Sequence, residues 1–118
     1  AKYAINSFLA SKVIFFNQLK EIYDSVEEKS NWDSFIETIS TDKRIGLSHL
    51  NVPGHDGRKG FGGACFPKDT YALMHYAKHL GKDFEMLEKV FEINNSYRSM
   101  YDELDDREKE QDVFFNSN

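Results

Sequence analysis

Residues 2–28 read KYAINSFLASKVIFFNQLKEIYDSVEE, and this run decides the fold class. Tyr3, Phe8, Leu9, Val13, Phe16, Leu19, Ile22, Tyr23 and Val26 recur close to the helical period, and neither Gly nor Pro interrupts them. Ile5, Ile14 and Phe15 spread the apolar stripe past one face. One helix over the whole span is roughly 40 Å long at about 1.5 Å per residue. A compact domain of this size has a radius of gyration of only about 13–14 Å. Such a helix overshoots its own domain, and its surplus apolar surface calls for a second copy or a neighbouring domain. Ten Phe in 118 residues press the same way, because a small domain cannot hide them all.

Outward from that helix the chain stays helical. Residues 32–40 form a short helix with Asn31 as N-cap and Trp32, Phe35, Ile36 and Ile39 as its buried stripe, ending near Thr41–Lys43. Residues 44–68 hold six of the seven glycines and both prolines and read as one long loop. Loops of that length inside a compact domain are usually functional or disordered. Helix restarts with Asp69 and Thr70 at its N-terminus, runs along Ala72, Leu73, Tyr76, Ala77 and Leu80, and stops at Gly81 in the C′ position. A last helix runs from about Asp83 through Leu87, Val90, Phe91, Ile93 and Asn94 to roughly Asp106, with a frayed tail beyond. The fold class is all-α: a long N-terminal helix plus shorter helices around a Gly-rich loop.

Composition narrows the function classes. At 40% apolar and 30% charged residues, the chain has a soluble globular balance and the length of one domain. No apolar run approaches the roughly 20 residues of a membrane span, and no secretory signal is present. Ala1 rather than Met stands first, so a piece cut from a longer chain is expected. The single cysteine, Cys65, excludes an internal disulfide and a cysteine-built zinc site, and points to a reducing, cytoplasmic compartment. The net charge of −5 sits entirely in residues 102–112, with seven acids against two bases, while the rest balances at 13 against 13. No basic face for nucleic acid is expected.

The chemistry-bearing segment is Gly60-Phe61-Gly62-Gly63-Ala64-Cys65-Phe66-Pro67-Lys68-Asp69. A lone cysteine behind clustered glycines and ahead of a helix start is placed where the helix dipole and Lys68 favour the thiolate, the nucleophilic form. Free amides of a glycine loop can hold an oxyanion or a phosphate. A buried structural thiol beside a Gly-rich turn fits the same residues. Lys2 and Asn6, at i and i+4, share one face of the first helix. They suit stabilisation of an alkoxide, or are two solvated polar residues. His75 and His79 stand at i, i+4 without a third ligand in register, and no metal site is expected.

Lys2-Tyr3-Ala4-Ile5-Asn6-Ser7-Phe8-Leu9-Ala10, then Arg44-Ile45-Gly46, then Gly60 to Asp69 resemble, in order, the central domain of the UDP-glucose/GDP-mannose dehydrogenases. The resemblance covers about residues 1–98 and implies a central dimerisation and substrate domain, similar in fold to the 6-phosphogluconate dehydrogenase C-terminal-like domain. Residues 99–118 form an unassigned acidic extension. The resemblance implies a two-step oxidation of a nucleotide sugar, UDP-glucose to UDP-glucuronate, through a Cys65 thiohemiacetal and thioester. GDP-mannose oxidation, or a non-catalytic helical dimerisation module, are the alternatives. It further implies that Lys2 and Asn6 steady oxyanions and that Asp69 works with Lys2 on water. By the same resemblance Gly60, Phe61, Gly62 and Gly63 lie over the substrate, and Arg44 reaches a partner subunit's site in a homodimer built on the long first helix. NAD is implied for the full enzyme. The Rossmann and C-terminal nucleotide-binding domains have no counterpart here, because Gly60-Phe61-Gly62-Gly63 follows no strand and lacks the dinucleotide spacing. No cofactor is expected on this chain alone, which is expected to be inactive by itself.

Overall fold

The computed structural model describes residues 1–26 and 31–101. Four helices follow one another: α1 (Lys2–Asp24), α2 (Trp32–Ser40), α3 (Cys65–His79) and α4 (Glu85–Arg98). No strand occurs among the described residues. The α1, α3 and α4 helices pack on one another, and α2 stands apart at the far end of α1.

The core is small. Ala10 and Ile14 of α1 meet Leu87, Val90 and Tyr97 of α4 and the ring of Phe61 from the connection between α2 and α3. Val13, Phe66, Leu73, Met74 and Ile93 close its edges. The small Ala10 lets the neighbouring helices approach α1 closely. On the other side of α1, Phe8, Phe15 and Ile22 recur every seven residues and are 67%, 62% and 64% exposed. Seven residues is close to two helical turns, so these three make one row, and Ile5 lies beside it. The surplus expected past one face is there, but not at all the residues read for it: Ile14, read as surplus, is core, while Phe8 and Ile22, read as part of the stripe, are exposed.

The termini show where sequence reading and structure part. The first helix ends at Asp24, short of the expected Glu28, and residues 27–30 lie outside the described ones. Asn31 caps α2 as expected, its side chain accepting from Ser34 N at 3.2 Å. The expected buried stripe of α2 is only half-buried: Tyr23, Trp32 and Phe35 form an aromatic cluster with ring centroids 5.1–5.5 Å apart, open to solvent on one side. The third helix begins at Cys65, four residues earlier than read. Pro67, inside the loop expected over residues 44–68, sits instead in the first turn of α3, where a missing N–H costs no intrahelical bond. Asp69 and Thr70 are therefore not capping residues but buried members of the second turn.

Gly81 ends α3 as expected. At φ +76° it lets Lys82 N donate to Ala77 O, while its own N–H donates to Lys78 O, both at 2.9 Å. The last helix ends at Arg98, earlier than the expected Asp106, and residues 102–106, with the rest of the acidic run, lie outside the described ones.

Candidate active site

Cys65 is the first residue of α3, and its thiol is exposed. A helix start presents unsatisfied amide N–H groups and the positive end of the peptide dipoles. Asp69 follows at i+4 and so lies on the same side of α3, facing α1. Its Oδ2 accepts from Asn6 Nδ2 at 2.7 Å and stands 3.9 Å from Lys2 Nζ. Asp69 is buried and Lys2 is largely exposed, so the carboxylate is the fixed member and the ammonium the mobile one. Lys2, Asn6 and Asp69, predicted from two motifs, thus meet where the start of α1 crosses the start of α3, one helical turn along from Cys65.

A cleft of about 690 Å³ opens beside them. Asn6 and Cys65 line it together with Gly60, Phe61, Gly62 and Gly63, the predicted loop residues. The ring of Phe61 turns away into the core and packs edge-on to Phe66, with centroids 6.2 Å apart, so only its main chain serves the cleft floor. His49 forms part of the opposite wall, its ring tilted on Phe66 at 5.3 Å and its backbone at φ +62°. Partial burial, then the charges of Lys12 and His55, hold the His49 imidazole below its ordinary range.

Arg44 stands away from this cluster. Its guanidinium is 89% exposed and forms a two-pronged pair with Asp42, at 3.0 Å from Nε and 2.7 Å from Nη2. That pairing holds the Asp42 carboxyl below its usual range. Nothing in the described chain brings Arg44 to the cleft.

Three buried polar residues do what no motif announced. Asn17 Oδ1 accepts from Gly60 N at 3.0 Å. Asn94 Oδ1 accepts from Phe61 N at 2.6 Å, and its Nδ2 donates to Phe61 O at 2.9 Å. Arg98 Nε also donates to Phe61 O, at 3.0 Å, and its Nη2 donates to Asp56 Oδ2 at 2.7 Å. The signal for them lay in the helical pattern. Asn94 and Arg98 occupy the side of α4 marked out by Leu87 and Val90, where a stripe asks for apolar residues. Gly60 is tied to the same grip: at φ +77°, a Cβ there would collide with Asn94 Oδ1 and come within 3.2 Å of Tyr97 Cβ.

Most of the chain is similar to proteins of one family. A model of the UDP-glucose/GDP-mannose dehydrogenase family, central domain, matches residues 1–96. UDP-glucose 6-dehydrogenase YwqF of Bacillus subtilis (strain 168) is 38% identical over 99 residues, covering 84% of this chain and 21% of that protein. UDP-glucose 6-dehydrogenase TuaD of the same organism is 39% identical over 97 residues, with 82% and 20% covered. The UDP-glucose 6-dehydrogenase of Rhizobium meliloti (strain 1021) is 36% identical over 95 residues, with 80% and 20% covered. The chain spans about a fifth of the length of these relatives.

Proposed function

This chain belongs to the UDP-glucose/GDP-mannose dehydrogenase family, matching its central domain, and from that premise we propose that it supplies the nucleophile of a nucleotide-sugar 6-dehydrogenase acting on UDP-glucose. The observation that carries this reading is one cleft lined by both the exposed Cys65 and Asn6, with Asn6 held by Asp69 and Asp69 standing 3.9 Å from Lys2. Residues 1–98 are its central domain, with 99–118 an extension. The whole protein works in the cytoplasm, whose reducing poise keeps a lone thiol free.

NAD is the hydride acceptor that the family implies. The described residues contain no strand, hence no strand-to-helix glycine turn to hold a pyrophosphate. What falls to this chain is the carbonyl. The Cys65 thiolate adds to the C6 carbon of the aldehyde form of the sugar, and the π pair of the carbonyl moves onto oxygen. The resulting tetrahedral oxyanion is a far better hydride donor than the aldehyde. An amide nitrogen carries two N–H donors. Asp69 accepts from one of those of Asn6, which fixes the rotamer and leaves the other for the oxyanion. The Lys2 ammonium adds a positive charge on the same side. At the thioester stage water adds to the acyl carbon, its proton passing to the Asp69 carboxylate beside Lys2, the C–S bond breaks, and sulfur departs as thiolate at the start of α3.

The exposed row on α1 fits this reading. Phe8, Phe15 and Ile22 give the helix a face for a second copy, and the family resemblance implies that the exposed Arg44 then serves the partner's cleft. The decisive experiment is Cys65→Ser in the full-length protein with its flanking domains, assayed by NADH formation from UDP-glucose. Turnover is expected to fall by on the order of 10³-fold or more, as for loss of a covalent nucleophile. Undiminished turnover would defeat the assignment.

A further inference from the structure

The connection between α2 and α3 delivers Cys65 to its place, and its last stretch has little to hold it. Gly62 and Gly63 carry no side chains, so the approach to the helix start is anchored only at its two ends. The upstream anchor is Gly60–Phe61, held by Asn17, Asn94 and Arg98. Arg98 differs from the two asparagines in reaching two points of the connection at once. Its Nε meets Phe61 O and its Nη2 meets Asp56, so residues 56 and 61 are pinned to one rigid fork. The Arg98 side chain is 2% exposed and that of Asp56 25%. Burying a guanidinium is costly, and an apolar side chain of similar volume would fill the same space at less expense. What the charge adds is direction, because the planar fork tolerates only one arrangement of its acceptors.

We infer that the Arg98–Asp56 pair sets the register of the Gly60–Gly63 segment and through it the position of Cys65. Arg98 and Asp56 are positioning residues for the nucleophile and do not take part in bond making. This rests on the dehydrogenase reading for its catalytic consequence, but not for its structural one.

The discriminating variant is Arg98→Lys in the full-length protein, with Asp56→Asn beside it. A lysine keeps the charge and the stem but cannot serve Phe61 O and Asp56 together. Amide exchange by mass spectrometry, with no ligand present, is expected to quicken about tenfold across residues 57–63, the mark of one lost charge-assisted hydrogen bond, while α1 stays protected. Alkylation of Cys65 by iodoacetamide is expected to depart from the wild-type rate. In the NADH assay kcat is expected to fall about 100-fold with KM within about twofold, as when a reacting group is misplaced by about 1 Å. The double variant Arg98→Lys/Asp56→Asn is expected to be no worse than the poorer single one, since the two act as a unit. Folded variants with wild-type exchange at 57–63 and wild-type alkylation would overturn the inference. So would faster exchange spread evenly over α1 and α3, which reduces the pair to general stability. If wild-type protein makes no NADH yet the exchange and alkylation behave as stated, the register role stands and the dehydrogenase reading falls.

Discussion

The connection between α2 and α3 contains two glycine-bearing stretches, both implied to contact substrate, and the fold treats them in opposite ways. Gly60–Phe61 is gripped from two helices, with its main-chain groups answered by buried side chains. Arg44–Leu47 is a tip in solvent, tied back to α1 by Lys12 Nζ donating to Ile45 O at 2.6 Å and ordered by the Arg44–Asp42 pair. The first stretch is finished within one chain. The second has its reactive group turned outward, and its use depends on what lies across the surface. Intrachain polar contacts therefore separate a stretch that the chain completes for itself from one that it leaves facing solvent.

The sharpest test of this contrast uses two glycines of nearly the same backbone angle. Gly60 and Gly46 have φ of +77° and +78°, but only at Gly60 would a Cβ meet neighbouring atoms. Gly60→Ala is expected to cost about 3 kcal/mol, the left-handed penalty plus displacement of Asn94, while Gly46→Ala costs about 1 kcal/mol from the backbone alone. Urea melts of the two variants measure the difference, and equal losses would erase the contrast.

A smaller effect tests the lending of Arg44. Arg44→Ala and Cys65→Ser are each expected to inactivate the full-length protein. Mixed and refolded together, they are expected to restore about a quarter of wild-type activity, because half of the dimers are hybrids and each hybrid has one complete site. A mixture no more active than its components would confine Arg44 to its own subunit or remove it from the chemistry. The thermal melt of Arg44→Ala alone is expected to match wild type, since its one recorded partner, Asp42, sits beside it in solvent.

The least effect concerns the cleft wall. His49 titrates below its ordinary range in the folded chain, chiefly through partial burial and next through Lys12. A group with a lowered folded pKa contributes stability that is intact above its unfolded value, about 6.5, and that is lost as pH falls through the folded one. His49→Asn, a residue that accepts positive φ, is expected to lose less of its melting temperature than wild type between pH 7 and pH 5. Parallel losses in the two proteins would show that His49 does not carry the acid sensitivity.

Much of this molecule was legible in its sequence, and for identifiable reasons. The helix over residues 2–24 shows its period because one of its sides packs on α3 and α4, and it shows an excess because Phe8, Phe15 and Ile22 do not. Asn31 and Gly81 declare helix ends through local chemistry that needs no tertiary partner. The start of α3 was misplaced because Pro67 looks like a breaker until one knows that it stands in a first turn. Lys2, Asn6, Cys65 and Asp69 were readable as types at fixed spacings. Their convergence was not, since it depends on α1 crossing α3 at the level of residue 6. Asn17, Asn94 and Arg98 went unread because a polar residue on a helix looks solvated until its main-chain partner is known.

The row of Phe8, Phe15 and Ile22 has a consequence for the thermodynamics of the whole. Whatever covers it binds the native chain and not the unfolded one, so by mass action the folded population grows with the supply of that cover. If the cover is a second copy, dilution itself acts as a denaturant. The melting temperature then becomes a property of the solution's protein concentration as much as of the polypeptide.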